Sequence, residues 1–447
     1  MSGRGNTRDL TTALAIGVAM FVLYNANGRE IGSYDSQPTK YAARELLLRG
    51  TLSLNHVVGK TPQLSERSGF VLARDGRYRS AYSPVPSVIA AILMWPLLKV
   101  HAFEINAPLA PALMASTASS LLVAAAVALA FLTARHVASR ARASLVAVAA
   151  GAGTGLWSTA SQTLWQHETA IFGTMLAVYA LCAPELRMRH AVAVGIGLGL
   201  AAGSRMQLGA AVVVLVLAMS VLAGWKYALI AAGVAALIVV PVATSNLRWF
   251  GSLLGAAPML EALHPTIHGT SGSFKLQTDG FTGLLLSPSR GLLIFSPVVA
   301  FVAAGVPAAL RERWRSPALW CLAAASVQFV VYGSYTVWWD GHTYGPRYML
   351  DLIPLLIPAA ALAAVRVRTR PAMALAVLAL AWSIGTSALG AFSHPHGAWN
   401  VDPTDIDRDH DRLWSWSDNQ IARAWHMGMS PQNFTLFTRD AVRVPRP

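Results

Sequence analysis

Charged residues are scarce in this chain: Asp, Glu, Lys and Arg make up 13% of its 447 residues, and acidic ones number 21 against 35 basic. Soluble domains carry about 25% charge, so an ordinary water-soluble globule is excluded. Cysteine is nearly absent. Cys182 and Cys321 both lie in or beside apolar segments, which excludes a disulfide framework and a cysteine-rich zinc site. The chain also lacks a Walker motif, a dinucleotide glycine loop, an HExxH pair and a nucleophile elbow.

What is abundant is apolar sequence. Hydrophobic residues reach 54% and the mean hydropathy is +0.47, the composition of an all-α multispanning integral membrane protein. The formal net charge of +14 comes from Arg residues in short loops between apolar runs. That is the topogenic bias of membrane proteins, and no nucleic-acid site is read from it.

Arg4 and Arg8 precede the first apolar run, Leu10 to Ala26, which lacks a small-residue cleavage site and is read as a retained helix. The N-terminus is thus expected in the cytoplasm and Asp35 on the outer side. Tyr41 to Arg49 is amphipathic, with Ala42, Ala43, Leu46 and Leu47 at helical spacing, and suits the membrane interface. The first outer loop, 27–108, also holds the run Pro84 to Leu98. Three prolines and a length under about 17 residues make that run a juxtamembrane or re-entrant helix. Alternation of Arg-rich loops then predicts about eleven spans, a break at Arg205, a large outer loop at 245–290 and a spanning module over 1–389. Residues 390–447 form an extracytoplasmic tail.

On this topology the outer loops carrying Asp35, Glu168, Asp279 and Asp340 share one face with aromatics and guanidinium groups. Clustered polar groups there suggest a site open to the outer leaflet. In the stretch from Val337 to Tyr348, the rings Trp338, Trp339, Tyr344 and Tyr348 surround Asp340, His342 and Arg347. Aromatic faces suit sugars and prenyl chains, and the Arg347 fork suits a phosphate; the bland reading is an interfacial aromatic belt. Arg290, before the span at Leu292, is an anion ligand at a helix N-terminus or an interfacial anchor. Arg205 is a second phosphate contact or a snorkelling side chain. His167 and Glu168 are a ligand and an acid, or interfacial and capping residues. The run Asp402 to Asp411 alternates carboxylates, but His410 and Trp416 stand where a calcium loop needs glycine and an acid, so it reads as a solvated acidic turn. His394, His396 and His410 leave a divalent metal open, and no cofactor is certain.

The arrangement resembles the polyprenyl-phosphate-dependent glycosyltransferases of the GT-C superfamily. The resemblance rests on the first-loop acid followed by an amphipathic helix, the turn Tyr82-Ser83-Pro84-Val85-Pro86 into a short helix, an acidic second outer loop and Gly345-Pro346-Arg347-Tyr348. It implies a GT-C-like fold, Asp35 as catalytic base, Glu168 as the second-loop acid, and Arg290 and Arg347 facing a lipid phosphate. Two departures stand out. Tyr34 precedes Asp35 where many members have a second acid, and the Pro84-Val85-Pro86-Ser87 turn lacks the lysine of the mannosyl and aminoarabinosyl branches. The implied function is inverting transfer of a sugar from a polyprenyl-phosphate donor to a lipid, glycan or protein acceptor hydroxyl, at the outer face of a bacterial plasma membrane. The rival readings are a transporter or flippase for a lipid-linked or small polar substrate, and a scaffold; the transporter predicts more mid-helix charges and repeat symmetry.

Overall fold

The computed structural model describes residues 3–66, 69–268, 272–393 and 397–444. His394 and His396 lie outside the described residues. The regular structure is helical apart from a small antiparallel hairpin, Phe70–Leu72 with Tyr78–Ser80, in register Val71 to Arg79.

The helices follow the expected order. Gly3–Asn25 is followed by Ala110–Arg135, Arg140–Ala152 with a π turn at Leu156–Ala160, His167–Leu181, Met188–Ser204, Gly209–Ala223 and Trp225–Phe250. Pro297–Arg315, Pro317–Gly333, Arg347–Arg366 and Arg370–Phe392 complete the bundle. Among the described residues, six helical segments are long and apolar enough to cross a membrane, or seven if the pair bent by 107° at Ser316 is one span. Leu14, Val22, Leu237 and Leu378 are exposed on the outermost helices, faces that lipid tolerates and water does not. The chain is an integral membrane protein.

Inside, the helices pack on Phe131, Leu156, Ile171, Met175, Leu198 and Leu355. His167–Leu181 and Met188–Ser204 meet backbone to backbone: a Cβ on Gly173 would lie 2.6 Å from the Gly197 carbonyl. Small residues permit that approach, and dispersion across it holds helices together where lipid removes the hydrophobic drive.

The two ends differ. At one, Asp9 pairs with Arg135 at 3.0 Å and Arg140 at 2.7 Å, which brings together the two segments expected on the cytoplasmic side. At the other end the long connections fold over the bundle. The amphipathic helix runs Ser36–Arg49, starting earlier than Tyr41 because Pro38 is tolerated in a first turn, where no intrahelical N–H is needed. Pro84–Met94, capped by the Ser83 hydroxyl and continued by a 3-10 turn to Lys99, stays too short to span. Trp225–Phe250 extends beyond the Thr244 boundary expected for its span.

Residues 397–444 are folded rather than extended. Phe434 and Leu436 donate backbone bonds to Asn27 and Gly28 at 2.8 and 2.7 Å, and Glu104 donates to Val442 at 2.7 Å. Gln420 opens the helix Gln420–Met427 and bonds the Gly345 N–H at 2.8 Å and the Thr343 carbonyl at 2.7 Å. The last segment thus packs against the first loop and against the Gly345-Pro346-Arg347 stretch.

Candidate active site

At this end a cavity of about 620 Å³ is lined by seven stretches of chain, near residues 33–35, 81–83, 165–167, 203–207, 242–261, 335–348 and 405–408. Asp35, Tyr82, His167, Arg205, Asp340, His342, Arg347 and Tyr348 all contribute to its wall.

Asp35 stands at the N-cap of Ser36–Arg49, yet its side chain makes no capping bond. Its carboxylate accepts from the Ser33 hydroxyl and, at 2.8 Å, from Arg347 Nη1. The rest of the Arg347 fork grips Asp340 through Nε at 2.8 Å and Nη2 at 2.7 Å, a bidentate pair. The guanidinium also lies 4.6 Å from the Trp165 ring centroid. One cation therefore serves two carboxylates, one 312 residues away in sequence. Burial pushes the Asp35 carboxyl up, but the Arg347 charge and the hydrogen bonds from Ser33 and Arg347 outweigh it and hold it below the usual value. Asp340 adopts a left-handed φ of 58°, followed by Gly341 at 63°. Such strain persists where surrounding contacts demand it, here the grip on Arg347.

A second network lies deeper. The helix Met188–Ser204 breaks at Arg205, whose backbone is extended, and its guanidinium pairs with Asp351 at 2.9 Å. Arg205 also donates to His167 Nε2 at 2.9 Å. Arginine only donates, so His167 carries its proton on Nδ1 and gives it to Asp351 at 3.0 Å. The Tyr332 hydroxyl donates to the same carboxylate, and its ring stacks on Tyr348 at 4.8 Å. Trp165, Tyr332 and Asp351 were not singled out from sequence. Asp351 carried a signal: it is a carboxylate one helical turn after Arg347 inside an apolar run.

Third, His342 Nε2 faces Asp405 Oδ1 at 2.9 Å and Asp407 Oδ2 at 3.2 Å. Burial disfavours the imidazolium, but the bonds to Asp407 and Asp405 outweigh it and hold the pKa above the ordinary histidine value. Asp407 is 3% exposed, and its Oδ1 accepts the Trp339 indole N–H at 2.7 Å. The acidic run expected as a solvated turn is therefore partly buried and built into the cavity wall. The sequence could not reveal this, because what buries Asp407 is a tryptophan 68 residues away.

Five of the expected residues lie outside the cavity wall. Arg290 is 1% exposed and donates to the Trp339, Ser289 and Gly341 carbonyls at 2.8, 3.1 and 2.8 Å and to the Asn400 side chain at 2.7 Å. It holds the loop that presents Asp340 rather than lining the cavity. Glu168 is fully buried and bonded by the Thr169 hydroxyl at 3.3 Å, rather than presented as a second acid in the cavity. Trp339 acts on Asp407 from behind. Trp338 packs over Gly283, and Tyr344 donates to the Thr386 carbonyl at 2.9 Å. These aromatics are buried by protein instead of forming a belt at a membrane surface, because the tail covers them.

Around the cavity, five carboxylates (Asp35, Glu261, Asp340, Asp405 and Asp407) face three guanidinium groups (Arg205, Arg347 and Arg408). The wall offers carboxylates able to take a proton and cations able to hold an anionic group, but its own balance is acidic.

No protein-family model matches the chain, and no curated protein is similar to it in sequence. Solved structures show the fold alone: the helical arrangement of the chain is GT-C-like. The archaeal oligosaccharyltransferase AglB from Archaeoglobus fulgidus, solved with an inhibitory peptide and a dolichol-phosphate, superposes with a TM-score of 0.52 at 14% identity, covering 95% of this chain and 60% of that one. ArnT from Cupriavidus metallidurans, solved with undecaprenyl phosphate, gives 0.49 at 15% identity, covering 87% and 66%. The chain spans less than two thirds of the length of either.

Proposed function

We propose that the protein is an inverting glycosyltransferase that moves a sugar from a polyprenyl-phosphate donor to an acceptor hydroxyl at the outer face of the membrane. The observation that carries this reading is the Asp35–Arg347 pair: a first-loop carboxylate and a last-loop guanidinium meet in one cavity, 2.8 Å apart. They do so on a fold shared with an enzyme solved with dolichol-phosphate.

In this reading the acceptor oxygen attacks the anomeric carbon from the side opposite the phosphate. The C1–O bond to phosphate breaks, its electron pair leaves with the phosphate, and the acceptor proton passes to Asp35. General base catalysis of this kind is worth about 100- to 10,000-fold. No acid is needed for a phosphate leaving group, which accords with Glu168 lying outside the cavity wall. Arg347 would stabilise charge as it develops on the leaving oxygen. When Arg347 turns to the donor phosphate, its hold on Asp35 loosens and the carboxylate becomes more basic at the moment it has a proton to take. Arg205, fixed by Asp351 and His167, offers a second cation, and Tyr82 and Tyr348 offer faces for a sugar or prenyl unit.

The test is transfer of radiolabelled sugar from a panel of polyprenyl-phosphate donors to membrane acceptors, by purified wild type and Asp35→Asn. Transfer that depends on Asp35 supports the reading and names the sugar. A folded wild type inactive with every donor would overturn it.

A further inference from the structure

The cavity that should receive an anionic donor is lined by five carboxylates and three guanidinium groups. Two of those cations are already engaged, Arg347 by Asp35 and Asp340 and Arg205 by Asp351. An arriving phosphate would meet a wall short of positive charge.

Beside that wall lies a donor set suited to supplying it. We propose that His342, Asp405 and Asp407 bind a divalent cation of the zinc or manganese type, with a coordination position open to the cavity. One imidazole nitrogen and two carboxylate oxygens converge there, all within 4.8 Å of one another. Metal–donor bonds of about 2.0 to 2.2 Å place neighbouring donors roughly 2.9 to 3.5 Å apart, and His342 Nε2 lies 2.9 and 3.2 Å from the Asp405 and Asp407 oxygens. Mixed nitrogen and oxygen donors favour Zn²⁺ or Mn²⁺ over Mg²⁺ or Ca²⁺, which prefer oxygen alone. Three protein ligands with a free position is the pattern of sites that engage a further ligand.

The supporting contacts also fit. Trp339 donates its indole N–H to Asp407 Oδ1, which leaves Oδ2 turned to His342. Ligating carboxylates are commonly oriented by such outer bonds. The ligands come from two stretches far apart in sequence, so the ion would also pin the last segment to the Asp340 loop. Its role toward a donor phosphate, as the missing positive charge, rests on the proposed glycosyl transfer; its binding does not.

Full-length protein, stripped with a chelator in detergent, is titrated with Zn²⁺ and separately with Mn²⁺, reading bound metal by mass spectrometry, the Mn²⁺ spin signal and the thermal midpoint. Wild type is expected to hold one ion per chain and to melt higher with it. Asp405→Asn and Asp407→Asn should bind at least tenfold more weakly and lose the melting shift, whereas Asp411→Asn, at an exposed carboxylate outside the group, should match wild type. Asp407 is buried, and if its variant does not fold, Asp405→Asn at the half-exposed ligand decides. A wild type with no stoichiometric ion, or an Asp405→Asn variant that binds as tightly, overturns the site and leaves His342 as a partner for two carboxylates. Since binding is read without donor, an ion bound by a protein that transfers no sugar would count against the enzymatic reading alone, and transfer without a stoichiometric ion against the cation alone.

Discussion

Arg347 and Arg290 invite comparison. Both sit in the same end of the molecule, both are buried, and both have their guanidinium donors engaged. Arg347 spends its fork on two carboxylates and lines the cavity, so an anion can exchange for one of its partners. Arg290 spends its donors on main-chain carbonyls and an amide, partners that no ligand replaces without unmaking the loop. The chemistry available to a buried arginine is thus set less by its charge than by whether its partners can be given up.

The comparison can be broken most sharply at Asp35. In Asp35→Asn, transfer should fall about 100- to 10,000-fold while the protein still folds, its unfolding transition lowered only by the lost Arg347 pairing; a rate close to wild type would remove Asp35 as base. Next come the arginines themselves. Arg347→Lys keeps the charge but loses the fork, and transfer should drop about 100-fold or more, read as initial rate with saturating donor. Arg290→Lys should act on folding, costing about 3 kcal/mol as charged hydrogen bonds to the loop are lost, read by thermal unfolding in detergent. If Arg290→Lys left stability unchanged and abolished transfer, the distinction between the two residues would fail.

A smaller effect is expected beneath Arg347. Trp165→Leu removes a cation–π contact worth about 0.5 to 2 kcal/mol, so donor affinity should weaken several-fold as Arg347 loses its orientation, measured as the KM for donor with kcat less affected. The smallest effect is in pH. The Asp35 carboxyl is held below its usual value, so its ionised form persists as pH falls. The stability this pairing contributes is fully present above about pH 3.9 and is lost only on descending through the lower folded value. Transfer measured as kcat/KM at limiting donor, which reports the free enzyme, should therefore show no Asp35-dependent decline between about pH 8 and pH 5; an acid limb of kcat/KM centred near pH 6 that disappears in Asp35→Asn would contradict it.

Much of the frame was legible from residues alone. Apolar runs and Arg-rich loops report directly on the cost of moving side chains into lipid, so the order of helices, the break at Arg205 and the short helix at Pro84 could be read without coordinates. Asp35, Arg347, Asp340 and His342 could be nominated because polar groups in loops between apolar runs, next to Gly and Pro turns, are a local signal. Arg290 and Glu168 were nominated on the same signal, and it does not separate them, since a guanidinium bound to carbonyls and one bound to carboxylates have the same sequence neighbourhood. Asp407 was set aside for the converse reason: a short acidic run looks solvated until something distant covers it.

The sequence by itself determined that this is a helical membrane protein with its polar loops segregated by charge, because hydropathy and the positive-inside bias are sums over local segments. Only the tertiary structure decided which of those polar groups form a site. Asp35 meets Arg347, Arg205 meets Asp351, and His342 meets Asp405 and Asp407. The physical reason is that these groups are buried together by packing between helices and by the folded last segment, and a buried charge takes its meaning from partners that local sequence does not name.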